Sequence, residues 1–139
     1  MKLSLTVPFA LFALSLPAFA EGDIDKGAKE FNKCKSCHAI VAIDGTEIVK
    51  GGKTGPNLYG VIGRAVASEE FNYGDSIKAV GATDVVWDAE MLATYVADPK
   101  AWLAEKTGDK GAKSKMTFKL SKGGEDVAAY LASVAPATN

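Results

Sequence analysis

Both cysteines and the only histidine of this 139-residue chain fall within five positions, as Cys34-x-x-Cys37-His38 in "FNKCKSCHAI". On a helical turn, positions i, i+3 and i+4 project to one side, so two thiols and one imidazole are presented together. Two thiols on one face can add across the two vinyl groups of a haem, with the adjacent imidazole lying under the iron. This is the spacing of c-type haem attachment. Two other uses of the pair stand against it. A thioredoxin-like redox pair belongs beside a βαβ unit, whose pattern is missing here. A structural zinc site needs four ligands, and no second cysteine pair or other histidine exists to complete one.

The chain opens with "MKLSLTVPFALFALSLPAFA": one lysine, an apolar run and a small-x-small ending at Ala18-Phe19-Ala20. That is the pattern of a secretory leader, expected to occupy residues 1–20 and to be cleaved after Ala20. The run contains Pro8 and Pro17 and falls short of the roughly 20 residues that span a bilayer. No other segment is apolar enough, so the mature protein is expected to carry no membrane span. Residues 21–139 then suffice for one domain. Sixteen basic against 17 acidic side chains leave no global positive charge to attract nucleic acid.

Asp23 reads as an N-cap, with Ile24, Gly27, Phe31 and Cys34 recurring at helical spacing behind it. Gly27 inside that helix suggests a close crossing by a second one. Residues 39–65 are rich in glycine and turn formers and read as loop. A short helix is expected at Asp75–Val80, with Gly81 beyond it as C′ residue. A further helix is expected at Asp88–Ala97, and another from the Asp98-Pro99 cap through Leu103. Residues 106–122 read as loop, and Glu125–Val134 carries an apolar stripe at i, i+3, i+4 and i+7. No convincing alternating strand is present, so the fold class is all-α with long loops. Helices this few share little apolar surface, and one large buried cofactor would supply the missing core.

The iron's other face needs a ligand or stays open. With no second histidine, the choice among protein ligands lies between Met91, inside a regular helix where methionine usually packs, and Met116 in the loop "AKSKMTFKL". Met116 is favoured as ligand over a packing role.

The segments "CKSCH", "TGPNLYGVIGR", "FNYGDS", "VVW", "YVADP", "KSKMTF" and "VAAYL" stand in the order found in class I cytochromes c. The chain resembles that family over nearly all of residues 23–134, most of all its larger bacterial cytochrome c2 type. The resemblance implies four to five helices and long loops wrapped around one haem c, bound through Cys34 and Cys37 and ligated by His38 and Met116. It implies that the Pro56 carbonyl accepts the free ring N–H of His38, with Gly55 allowing the approach. It places Arg64, Tyr73 and Trp87 by the haem propionates, Tyr95 and Ser114 near the Met116 sulfur, and Phe118 over the haem edge. Ile77 departs from relatives that carry a polar residue near a propionate.

Iron ligated on both sides has no position for a substrate, so the expected role is a periplasmic electron shuttle and not an enzyme. By resemblance the donor is a cytochrome bc1-type complex, and the acceptor is a photosynthetic reaction centre or a cytochrome oxidase. The carrier is expected to be a monomer. Lysines at 33, 35, 50 and 53, and at 110, 113, 115, 119 and 122, would dock it near the haem edge. The alternative is a haem enzyme or gas-binding c-type sensor, which needs an exchangeable sixth ligand.

Overall fold

The computed structural model describes residues 22–135; the expected leader and its cleavage site lie outside them. In chain order the elements are helix α1 (Ile24–Glu30), a 3-10 turn (Phe31–Lys33), strands β1 (Ile40–Val41) and β2 (Glu47–Val49), and helices α2 (Asp75–Gly81), α3 (Ala89–Ala97), α4 (Pro99–Thr107) and α5 (Gly124–Ser133). The fold is mostly helical, with five α-helices among the described residues.

Helix starts follow the caps. The Asp23 carboxylate accepts from the Lys26 N–H at 3.0 Å, and its own N–H donates to Asp126 Oδ1 at 2.7 Å, so the cap of α1 also ties it to α5. Asp88 and Asp98 accept from the N–H groups of Met91 and Ala101, at 2.7 and 3.1 Å. Pro99 occupies the first turn of α4, where its missing N–H costs nothing.

Helices α1 and α5 cross at Gly27, where a Cβ would overlap the Asp126 carbonyl and stand 2.8 Å from Tyr130 Cβ. The rings of Phe31 and Tyr130 pack at 5.7 Å beside the crossing. Fully buried Phe31 and Leu131 lie in the core with Leu92, Leu103 and Val127. Ile24 departs from the expected face: it is 49% exposed.

Besides one-residue shifts at the ends of α3 and α5, three places differ from the sequence reading. Residues 40–49 form an antiparallel hairpin with Ile40 opposite Val49, where a loop was expected. Strands of two and three residues are too short to display alternation. The hairpin turns at Gly45 (φ 86°), and the Asp44 carboxylate accepts from the Thr46 N–H at 2.9 Å. Gly81 is the last residue of α2, not a left-handed residue beyond it; Ala82 caps the helix in right-handed conformation. The need for glycine there is steric, since a Cβ would collide with the Val66 carbonyl. Helix α4 runs on to Thr107 before left-handed Gly108 ends it.

Long loops are tied to the helical frame. The 50–74 segment is joined to the strand-like residues before α3 by Trp87 N–H to the Arg64 carbonyl (2.9 Å) and Val66 N–H to the Val85 carbonyl (2.8 Å). The 108–123 segment is held at Leu120, whose N–H donates to the Val96 carbonyl at 2.7 Å, and by Lys119 paired with Asp98 at 2.6 Å.

Candidate functional site

The Cys34–His38 segment is a run of tight turns and not a continued helix. Cys34 N–H donates to the Phe31 carbonyl at 2.8 Å, and the N–H groups of Cys37 and His38 both reach the Cys34 carbonyl, at 3.1 and 2.9 Å. Both thiols are free, Cys34 half-buried and Cys37 exposed. Their surroundings set them apart. Burial, with the negative charge of Glu30 nearby, pushes the Cys34 thiol up to about 11. The hydroxyls of Thr54 and Ser36 hold Cys37 below the ordinary thiol range.

The loop after β2 folds back onto this turn, with the Gly55 N–H donating to the Cys37 carbonyl at 2.8 Å. That places Pro56 against His38, whose Nδ1 lies 2.8 Å from the Pro56 carbonyl. A carbonyl only accepts, so Nδ1 carries the proton and Nε2 keeps its lone pair. Burial lowers the His38 pKa, the Pro56 bond partly opposing it, so the ring is neutral and competent as a ligand. Gly55 lies against the ring, where a Cβ would collide with Cε1.

His38 and Met116 line one cavity of about 280 Å³, with Tyr73, Trp87, Leu92 and Leu131 among its walls. Half-buried Met116 is supported by the Ser114 hydroxyl, which donates to the Met116 carbonyl at 2.8 Å. Tyr95 lines the same space beside Ser114; burial pushes its phenol up, and the Ser114 hydroxyl offsets part of this. Trp87 stacks on Trp102 at 5.3 Å with the planes 27° apart, and Tyr95 packs against both rings. Phe118, 42% exposed, stands at the mouth, and Ile77 adds an apolar wall.

Arg64 also lines the cavity, but its guanidinium is engaged within the protein: it donates to the carbonyls of Asn57 and Tyr59 and to the Glu69 carboxylate. Sequence reasoning missed Asn57 and Glu69. Asn57 pins the hairpin to this loop through two bonds to the Val41 backbone, at 2.9 and 2.8 Å. Asn57 stands inside the quoted segment "TGPNLYGVIGR" without having been singled out, and Glu69 lies outside every quoted segment.

No protein-family model matches the chain. Known relatives do. The chain is 64% identical to cytochrome c2 of Rhodobacter capsulatus over 96% of its own length and 98% of the relative's. It is 59% identical to cytochrome c-550 of Paracoccus versutus, over 98% and 91%. The solved structure of the Rhodobacter capsulatus cytochrome c2 superposes with a TM-score of 0.80 at 67% identity, covering 81% of this chain and 98% of that one. Identity this high along nearly the whole of both chains, on the same fold, means that the chain belongs to the class I cytochromes c, of the bacterial cytochrome c2 type.

Proposed function

We propose that this protein is a periplasmic electron carrier holding one haem c, attached through Cys34 and Cys37 and ligated by His38 and Met116. Its electrons would come from a cytochrome bc1-type complex and pass to a photosynthetic reaction centre or a terminal oxidase. The observation that carries the reading is the pairing on one cavity of an oriented imidazole, His38 held at Nδ1 by Pro56, with the thioether of Met116. The donor set and the walls suit that group. The thiols are free, the space beside His38 is kept clear of a side chain at Gly55, and the lining is largely apolar.

When bound, the haem supplies reversible one-electron exchange at its iron. The chain's part is to hold geometry and exclude water. Pro56 fixes the imidazole's tautomer and raises its basicity. Lys113 N–H to Ser76 Oγ at 3.0 Å and Lys119 to Asp98 at 2.6 Å hold the Met116 loop from both sides. A thioether ligand favours the ferrous state, as does an apolar surround. Tyr73 and Trp87, on the cavity walls, would offer an O–H and an N–H to the propionates, and Arg64 lies on the same lining with its charge paired to Glu69. Phe118, exposed on the cavity lining, would cover the haem's edge. Ligation by both His38 and Met116 would leave the iron no open position, which favours a carrier over a catalyst.

The test is a mass and a spectrum. The mature chain should carry the mass of one added haem and show a low-spin c-type spectrum with the weak long-wavelength ferric band of an iron–thioether bond. Met116→Ala should abolish that band. Ready uptake of carbon monoxide by the native protein would instead identify an exchangeable sixth position.

A further inference from the structure

Arg64 is the only arginine in the sequence, and its side chain is 16% exposed. It stands between two spaces: the cavity that holds His38 and Met116, and an outer recess shared with Asn57, Tyr59 and Glu69. Its Nη2 donates to the Asn57 carbonyl at 2.9 Å, and Nη1 to the Tyr59 carbonyl at 3.1 Å and Glu69 Oε1 at 2.8 Å. Two of these acceptors are neutral dipoles, and only Glu69 brings a charge. Among the chain's own groups bonded to Arg64, the one negative charge is therefore Glu69, held on the recess side five residues along the chain from the arginine. Burial raises the pKa of the Tyr73 phenol, and the Arg64 charge lowers it while the Glu69 charge raises it, so both members of the pair act on this group.

We propose that Glu69 is a positioning residue for electron transfer: it holds and neutralises Arg64, and so keeps the reduction potential below the value that an uncompensated guanidinium would set. The proposal rests on the haem reading above. Oxidation adds one positive charge inside the cavity. A bare cation on its wall opposes that charge through a medium of low effective dielectric, and a carboxylate 2.8 Å from the cation cancels most of its field. Because the arginine is largely buried, salt in the solvent screens the effect only weakly.

Three variants of the haem-loaded protein test this by spectroelectrochemical titration at neutral pH and fixed ionic strength: Glu69→Gln, Arg64→Gln and the double substitution. Glu69→Gln should raise the midpoint potential, increasing the equilibrium constant for reduction against a fixed reference couple by roughly three- to tenfold. Arg64→Gln should lower it, and the double variant should return close to the native value. A purely structural role predicts another pattern, because loosened packing that admits water favours the ferric form and moves all three variants downward. An unchanged or lowered potential in Glu69→Gln overturns the proposal. Absence of covalent haem in the native chain would fail the underlying reading instead, and it shows in the mass before any potential is measured.

Discussion

Gly55 illustrates how a residue with no side chain can position one that has chemistry to do. A methyl group there would stand 2.7 Å from both ring nitrogens of His38 as well as against Cε1. The imidazole cannot retreat without losing its 2.8 Å bond to the Pro56 carbonyl. Gly55→Ala is therefore an overpacking substitution at the point where the ligand is aimed. It should lower the unfolding free energy by about 1–3 kcal/mol and, under the proposed ligation, weaken the iron–thioether band, as read by denaturant titration and visible absorption. Native stability together with a native spectrum would show that the ring has room the geometry does not suggest. The glycine was legible in the sequence only through resemblance, because the ring it faces lies 17 residues back along the chain.

Asp98 works at the scale of elements, joining three of them. It follows α3, caps α4 through the Ala101 N–H, and pairs with Lys119 in the Met116 loop. The Lys119 ammonium, followed by the Ala101 N–H, holds its carboxyl below the ordinary carboxylate value of 3.8. Between the folded value and 3.8 the unfolded chain binds more protons, so stability rises with pH across that window. The contribution is fully present above about pH 4 and is lost as pH falls through the folded value. Asp98→Asn keeps an acceptor for the cap but removes the charge. Its urea midpoint should lie below the native one at pH 7, and the gap should be smaller at pH 3, below the unfolded value. A gap of equal size at both pH values would assign the loss to the cap geometry alone. The cap itself was readable from Asp98-Pro99, whereas the partner 21 residues away was not.

Across the whole molecule, the lysines named from the sequence separate into different states. Lys33 pairs with Glu30 and Lys119 with Asp98, both at 2.6 Å, while the Lys115 ammonium donates to the Asn72 carbonyl at 2.7 Å. Replacing Lys115 would therefore disturb the loop that carries Met116 as well as the surface charge. Lys113, exposed and on the cavity's lining, isolates the electrostatic effect. Under the proposed function, Lys113→Glu should slow reduction by the proposed bc1-type donor about three- to tenfold at low salt, and the deficit should shrink as ionic strength rises. Lys26→Glu, which lies outside the cavity lining and pairs with Asp23 in the native protein, should remain near the native rate. Equal slowing by both substitutions would mean that net charge matters and the docking face does not.

The amino-acid sequence by itself determined the parts that depend on short-range geometry: helix starts at Asp23, Asp88 and Asp98, the one-sided turn of Cys34, Cys37 and His38, and the glycine demanded by the α1–α5 crossing. A cap or an i, i+4 spacing acts within one turn of chain, so its physics is complete in a few residues. Only the tertiary structure decided the hairpin at 40–49, the steric reason for Gly81, the exposure of Ile24 and the company Arg64 keeps. Each depends on which distant backbone happens to lie alongside, and a hydrogen bond from Lys115 to the Asn72 carbonyl leaves no periodic trace in either segment.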